Sequence, residues 1–242
     1  MKIKICGITR VEDAVCCISA GADYIGFVFA PSPRRIDEIR AGEICSVLER
    51  NGLRHKIKIA GVFVNESPGV MRSHITRGLI DIAQVHGDEN PETCSQFDFP
   101  YIRGIRVKNL ILAQEAERIE NEIAGLSCGT VIIDSFSHGV YGGSGLQVGI
   151  DSARVAGYIV RNSGKEFFIA GGLNPDNIQG VISQLSPQPG GNFIKERLAP
   201  EAAFVGCPLY PDHLRISPRF QQFLLKADAV FERHSHISIA MD

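Results

Sequence analysis

Apolar and polar positions along this chain switch repeatedly between two periods. Short, β-branched, nearly unbroken apolar runs predict strands at residues 3–6, 24–29, 58–64, 80–85, 101–106, 130–133 and 167–170. Between them, apolar residues at helical spacing predict helices over 11–20, 37–50, 67–77, 90–97, 110–121, 152–160 and 175–184. The first unit shows the pattern in miniature. Ile3, Ile5 and Ile8 alternate through a strand that ends at Cys6-Gly7, Gly7 permits a sharp turn, and Thr9 offers a hydroxyl N-cap to a helix that Gly21 closes. Runs such as Tyr24-Ile-Gly-Phe-Val-Phe29 are apolar on both parities, as in strands covered on both faces.

Seven β-then-α units in succession exclude a sandwich or a helical bundle and imply parallel strands joined by right-handed crossovers. Their even spacing favours a closed (β/α)8 TIM barrel over an open doubly wound sheet. The absence of G-x-G-x-x-G after the first strand, and of a Walker loop, points the same way. One barrel domain over residues 1–231, followed by a tail at 232–242 read as disordered, accounts for the 242 residues.

Composition narrows the function classes. Apolar residues make up 44% of the chain, enough for a large core, and the formal net charge of −2 gives no reason to expect a nucleic-acid or anionic-membrane partner. No apolar run approaches the roughly 18–20 residues of a membrane span, and the start has no signal-peptide pattern. The seven cysteines include no C-x-x-C pair, which fits a reducing cytoplasm with neither a disulfide framework nor a zinc site.

In a barrel, chemistry belongs at the carboxyl ends of the strands. Those ends read Cys6-Gly7, Arg34-Arg35, Asn65-Glu66, His86-Gly87-Asp88, Arg106, Asp134 and Gly171-Gly172, polar residues against apolar strands. Asp134 closes an apolar run. Facing a thiolate across the mouth, a carboxylic acid there could protonate one substrate atom while the sulfur deprotonates another, given burial for the acid and local positive potential for the thiol. Alternatively Cys6 is a small buried hydrophobe and Asp134 an ordinary strand-end cap. Two glycine clusters suit a phosphate: Tyr141-Gly-Gly-Ser-Gly145, with Gly142, Gly143 and Gly145, and Ala170-Gly-Gly-Leu-Asn174, with Gly171 and Gly172, which runs into a helix headed by Pro175. Arg34 could hold a carboxylate or phosphate in bidentate fashion, and Arg35 reads as solvated. His86 lacks companions at metal-ligand spacing and reads as a hydrogen-bonded strand-end residue.

Several of these segments resemble one family. Lys4-Ile-Cys-Gly-Ile-Thr9, Gly21-Ala-Asp-Tyr-Ile-Gly-Phe-Val-Phe29, Ser32-Pro-Arg34, Gly61-Val-Phe-Val-Asn65, Gln84-Val-His-Gly-Asp88, Asp134, Tyr141-Gly-Gly-Ser-Gly145 and Ala170-Gly-Gly-Leu-Asn-Pro-Asp-Asn177 are similar, in colinear order over about residues 2–186, to phosphoribosylanthranilate isomerases. The resemblance implies a cytoplasmic, cofactor-independent, metal-free enzyme of tryptophan biosynthesis, a monomer or homodimer. Its reaction would be the Amadori rearrangement of N-(5-phosphoribosyl)anthranilate to 1-(2-carboxyphenylamino)-1-deoxyribulose 5-phosphate. It also implies Cys6 as general base and Asp134 as general acid, with Arg34 on the anthranilate carboxylate, His86 among the substrate-binding residues and the glycine loops on phosphate. A histidine-pathway isomerase ranks lower, because that enzyme has an aspartate where this chain has Cys6. A non-catalytic phosphosugar-binding remnant is the alternative from outside enzymology.

The eighth unit departs from the family. Residues 188–216 lack its strand and phosphate-loop pattern, and six of the twelve prolines fall between Pro187 and Pro218, a density that opposes a central strand. A helix-like pattern returns at 217–231, which suggests a local reading-frame disturbance in the gene. Residues 202–205 are the one substitute strand, a poor one, so the sequence leaves barrel closure between strands seven and one in doubt.

Overall fold

The computed structural model describes residues 2–107, 113–135, 149–173 and 177–185, together with the backbone of 202–206 and 239–241. Seven β–α units run through it. β1 (Ile3–Cys6), β2 (Tyr24–Val28), β3 (Lys58–Phe63), β4 (Ile82–Val85), β5 (Tyr101–Val107), β6 (Thr130–Ser135) and β7 (Glu166–Leu173) alternate with seven helices. These are α1 (Val11–Ser19), α2 (Glu38–Arg50), α3 (Pro68–Thr76), α4 (Pro91–Ser95), α5 (Ala113–Ala124), α6 (Ile150–Asn162) and α7 (Ile178–Leu185). Each strand pairs in parallel with the next, from β1–β2 through β6–β7.

The ring closes, which settles a doubt the sequence raised. β8 (Ala202–Gly206) pairs in parallel with β7 on one side and β1 on the other, with Phe168 opposite Ala203 and Lys4 opposite Val205. Two alanines give poor strand propensity. A strand between two parallel neighbours, however, satisfies its N–H and C=O groups on both sides, and that outweighs propensity over five residues. β9 (Ile239–Met241), to which the sequence assigns no element, lies against the same two strands, Ile239 being the register partner of both Ile3 and Ile169. At the amino-terminal rim, Lys2 and Glu166 form an ion pair that links the strands flanking β8. The remaining positions of 188–216, and the helix expected at 217–231, lie outside the described residues.

Parity along each strand sorts the core into two compartments. One parity (Ile3 and Ile5, Ile25 and Phe27, Val131 and Ile133, Phe167 and Ile169) packs outward against the helices. The other (Cys6, Tyr24, Val28, Val62, Ile102, Ile132, Phe168, Ala170) fills the barrel, where the Tyr24 and Phe168 rings meet edge to face at 5.9 Å. On the outside Gly157 of α6 lets the helix approach β7: a Cβ there would lie 2.9 Å from the Phe167 ring.

Local signals hold where the backbone agrees with them. Asp37 and Ser67 cap α2 and α3 by accepting from the amides of Arg40 and Val70, and Gly21 adopts the positive φ that ends α1. Thr9 is not the cap expected of it. The N-cap of α1 is Arg10, which forms no side-chain capping bond, and the carbonyl of Thr9 accepts from Arg40 Nε at 3.1 Å.

One buried ion cluster braces the β4 and β5 ends. Arg103, 5% exposed, donates to Glu122 of α5 at 2.9 Å, to Glu89 at 3.0 Å and to the carbonyls of Val85 and Gly87. Arg103→Met leaves the largely buried carboxylate of Glu89 without its cation, and Glu122 with Arg118 alone. It is expected to cost about 3 kcal/mol, read as a lower urea midpoint. Gly157→Ala sets a helix-propensity gain of about 1 kcal/mol against overpacking of about 1–3 kcal/mol on the Phe167 ring. The expected outcome is a net loss of stability in the same measurement.

Candidate active site

Eight carboxyl strand ends converge on one rim, and the candidate residues must be on it and point inward. Cys6 qualifies: it ends β1, belongs to the inner cluster and is 4% exposed. Asp134 has the same parity as the inward Ile132 and is 2% exposed near the end of β6. The thiol and the carboxyl are therefore on one rim of one barrel, with β7 and β8 between their strands.

Gly7 turns the chain away from Cys6 at φ +82°, a left-handed conformation that suits glycine. The same position leaves room for Arg34, since a Cβ on Gly7 would lie 2.7 Å from Arg34 Cδ. Arg34 is half-buried and reaches over the end of β1, its Nη1 3.4 Å from the Cys6 carbonyl oxygen. Arg35 is exposed. Arg106, the register partner of Asp134, forms an ion pair with Asp88 at the rim.

His86 follows β4 and is buried between two partners. Gln84 Nε2 lies 2.9 Å from His86 Nδ1, and His86 Nε2 lies 3.2 Å from Asp134 Oδ2. The Gln84 amide and the Asp134 carboxyl hold the imidazole from both sides, one at each ring nitrogen. His86 thus orients Asp134 by a direct hydrogen bond. The Arg103 bonds to the carbonyls of Val85 and Gly87 hold the turn that places the imidazole there.

At the end of β7, Gly171 (φ +99°) and Gly172 (φ +63°) are consecutive left-handed residues, and the Gly172 carbonyl accepts from Asn177 Nδ2 at 2.8 Å. Both conformations suit glycine and would strain a residue with a side chain. Gly142, Gly143 and Gly145, like Asn174 and Pro175, lie outside the described residues. Among the described residues no three His, Cys, Asp or Glu side chains gather as a metal site.

The structure adds two polar residues that sequence reasoning passed over. Lys4 is fully buried and Gln84 is 3% exposed. Lys4 Nζ and Gln84 Oε1 have no hydrogen-bond partner among the described residues. Parity was the available signal, because Lys4 shares the inward parity of Cys6, and Gln84 that of His86.

Comparison with known proteins identifies the family. A family model described as N-(5'phosphoribosyl)anthranilate (PRA) isomerase matches residues 3–191 and stops where the motif pattern changes. The N-(5'-phosphoribosyl)anthranilate isomerase of Geotalea uraniireducens is 38% identical over 190 residues, 77% of this chain and 84% of that protein. The one from Neisseria gonorrhoeae is 39% identical over 180 residues, 74% of this chain and 78% of that protein. Among solved structures, phosphoribosyl anthranilate isomerase from Thermotoga maritima aligns with TM-score 0.62 at 28% identity, over 77% of this chain and 84% of that one. Another, in complex with reduced 1-(o-carboxyphenylamino)-1-deoxyribulose 5-phosphate, aligns with TM-score 0.59 at 28% identity, over the same shares. With the family model matching well over half its length, the chain belongs to the N-(5'-phosphoribosyl)anthranilate isomerase family.

Proposed function

We propose that this chain isomerises N-(5-phosphoribosyl)anthranilate in tryptophan biosynthesis, with Cys6 as general base and Asp134 as general acid. The observation that carries the reading is a buried thiol and a buried carboxyl facing inward on one barrel rim, the carboxyl oriented by His86. Asp134 gives its proton to the furanose ring oxygen as the C1′–O bond breaks, and the anilino nitrogen lone pair forms the C=N bond of a Schiff base. Cys6 then removes the C2′ proton, the C1′–C2′ double bond forms and the electron pair returns to nitrogen. The resulting enol-amine tautomerises to the ketose. One acid and one base suffice, and each such group is worth about 10²–10⁴ in rate.

Arg34, leaning over the end of β1, is placed to meet the anthranilate carboxylate in bidentate fashion. Gly171 and Gly172 offer amides to the phosphate, and the family resemblance assigns Gly142, Gly143 and Gly145 to it as well. The charged and half-buried rim suits a small phosphorylated substrate. The free thiols of Cys6, Cys16, Cys17, Cys45, Cys94 and Cys128 suit the cytoplasm. Among the described residues no helix is long and apolar enough to cross a membrane.

A second reading keeps binding without turnover. It is favoured by the end of the family match at residue 191, ahead of the eighth unit. Rescue of a tryptophan auxotroph by this coding sequence supports catalysis, whereas product-analogue binding without rescue supports the remnant.

Cys6→Ala and Asp134→Asn are each expected to lower kcat by about 10²–10⁴ while the urea midpoint moves little; near wild-type turnover in either removes the assigned role. Gly171→Ala forces a side chain into the left-handed region beside the phosphate amides. It is expected to raise KM on the order of tenfold with kcat nearly unchanged, measured by steady-state kinetics on the phosphorylated substrate.

A further inference from the structure

Lys4 stands out in the barrel interior because a buried ammonium normally has a partner and this one shows none among the described residues. Its position explains what it does there. β1 alternates, so Lys4 and Cys6 point to the same side, one strand repeat apart, with the lysine beneath the cysteine. Both approach β2 where Gly26 has no side chain: a Cβ on Gly26 would lie 2.6 Å from Cys6 Sγ and 3.0 Å from Lys4 Nζ. The sulfur and the ammonium nitrogen are therefore at most 5.6 Å apart, the sum of those two distances.

We infer that Lys4 is the positioning residue of the base, its ammonium serving as the buried counter-charge that keeps the Cys6 sulfur in its thiolate form. This rests on the reading of Cys6 as the general base. An isolated ammonium in an apolar interior is costly, as is an isolated thiolate, and their mutual attraction offsets part of both costs. At an effective dielectric of about 20, the Coulomb attraction at this distance is worth a little over a hundredfold in a thiol–thiolate balance, and the cost of burying the two charges brings the net to roughly tenfold to a hundredfold.

The other groups facing the pair differ from Lys4 in charge or burial. Arg34, from the loop after β2, is a second cation near the end of β1, half-buried, with its Nη1 on the Cys6 carbonyl oxygen. Tyr24 of β2, the register partner of Lys4, is held neutral by burial, which pushes its hydroxyl above its ordinary range. His86, after β4, and Asp134 of β6 are joined to one another. Glu166 of β7 is bound to Lys2 at the opposite rim.

The test is the pH–rate profile of Cys6 alkylation by iodoacetamide, read by peptide-resolved mass spectrometry so that other thiols do not contribute. Burial pushes the thiols of Cys16, Cys45 and Cys128 up, and that of Cys94 to about 11, so the Cys6 peptide is followed separately from theirs. Lys4→Met keeps the stem and removes the charge. The expected result is a displacement of the Cys6 midpoint to higher pH by about one to two units. At neutral pH kcat falls at least tenfold, and activity returns as pH is raised, which a loss of packing does not produce.

Lys4→Gln, which retains a polar head without charge, gives the same displacement and serves if the methionine variant does not fold. Superimposable alkylation profiles in the folded variants overturn the proposal. A displaced profile with unchanged kcat leaves the Lys4–Cys6 pair standing and removes Cys6 as the base instead.

Discussion

A parallel sheet that curls until its last strand meets its first has no edges, and its eight carboxyl ends lie on one rim. The rest of this protein depends on that closure. Backbone groups of β1 and β7 that would otherwise stand unpaired are met by β8, and closure gives an interior in which side chains of one parity are withdrawn from water. Without it Cys6 and Asp134 would sit on the flanks of an open sheet, solvated and facing no common point. Five residues, three of them poor strand formers, complete the ring because two waiting ladders hold them.

The interior is built so that apolar packing and charge are separated by depth. Tyr24, Ile102, Ile132 and Phe168 plug the barrel, while polar atoms gather toward the carboxyl rim in two connected lines. One line runs Gln84–His86–Asp134 and fixes the orientation of the carboxyl through the imidazole. The other is the pair of Lys4 and Cys6. Each sets a candidate acid or base beside a polar partner inside the barrel. Outside the barrel, Arg103 with Glu89 and Glu122 serves the same site indirectly by holding the turn from which His86 projects.

Some departures from local expectation trace to competition between local and tertiary partners. Thr9 has the chemistry of an N-cap, yet its carbonyl goes to Arg40 of the next helix and the cap passes to Arg10. Gly7 and Gly26 look alike in sequence. The first is needed for a left-handed turn and the second to make room for a sulfur and an ammonium, and only the packing of β1 against β2 tells them apart.

The sequence by itself determined the order of elements, the parallel sheet and the strand ends where polar residues collect. These follow from short-range periodicity, which is written in consecutive residues. It also supplied Cys6, Arg34, His86, Asp134 and the glycine loops as candidates, because their chemistry is unusual at the end of an apolar run. Only the tertiary structure decided that Ala202–Gly206 closes the ring, that Gln84 and His86 lead to Asp134, and that Lys4 lies buried beneath Cys6. Those contacts join residues from strands far apart in sequence. Their energies depend on burial and on distances of a few ångströms, quantities that no window of neighbouring residues contains.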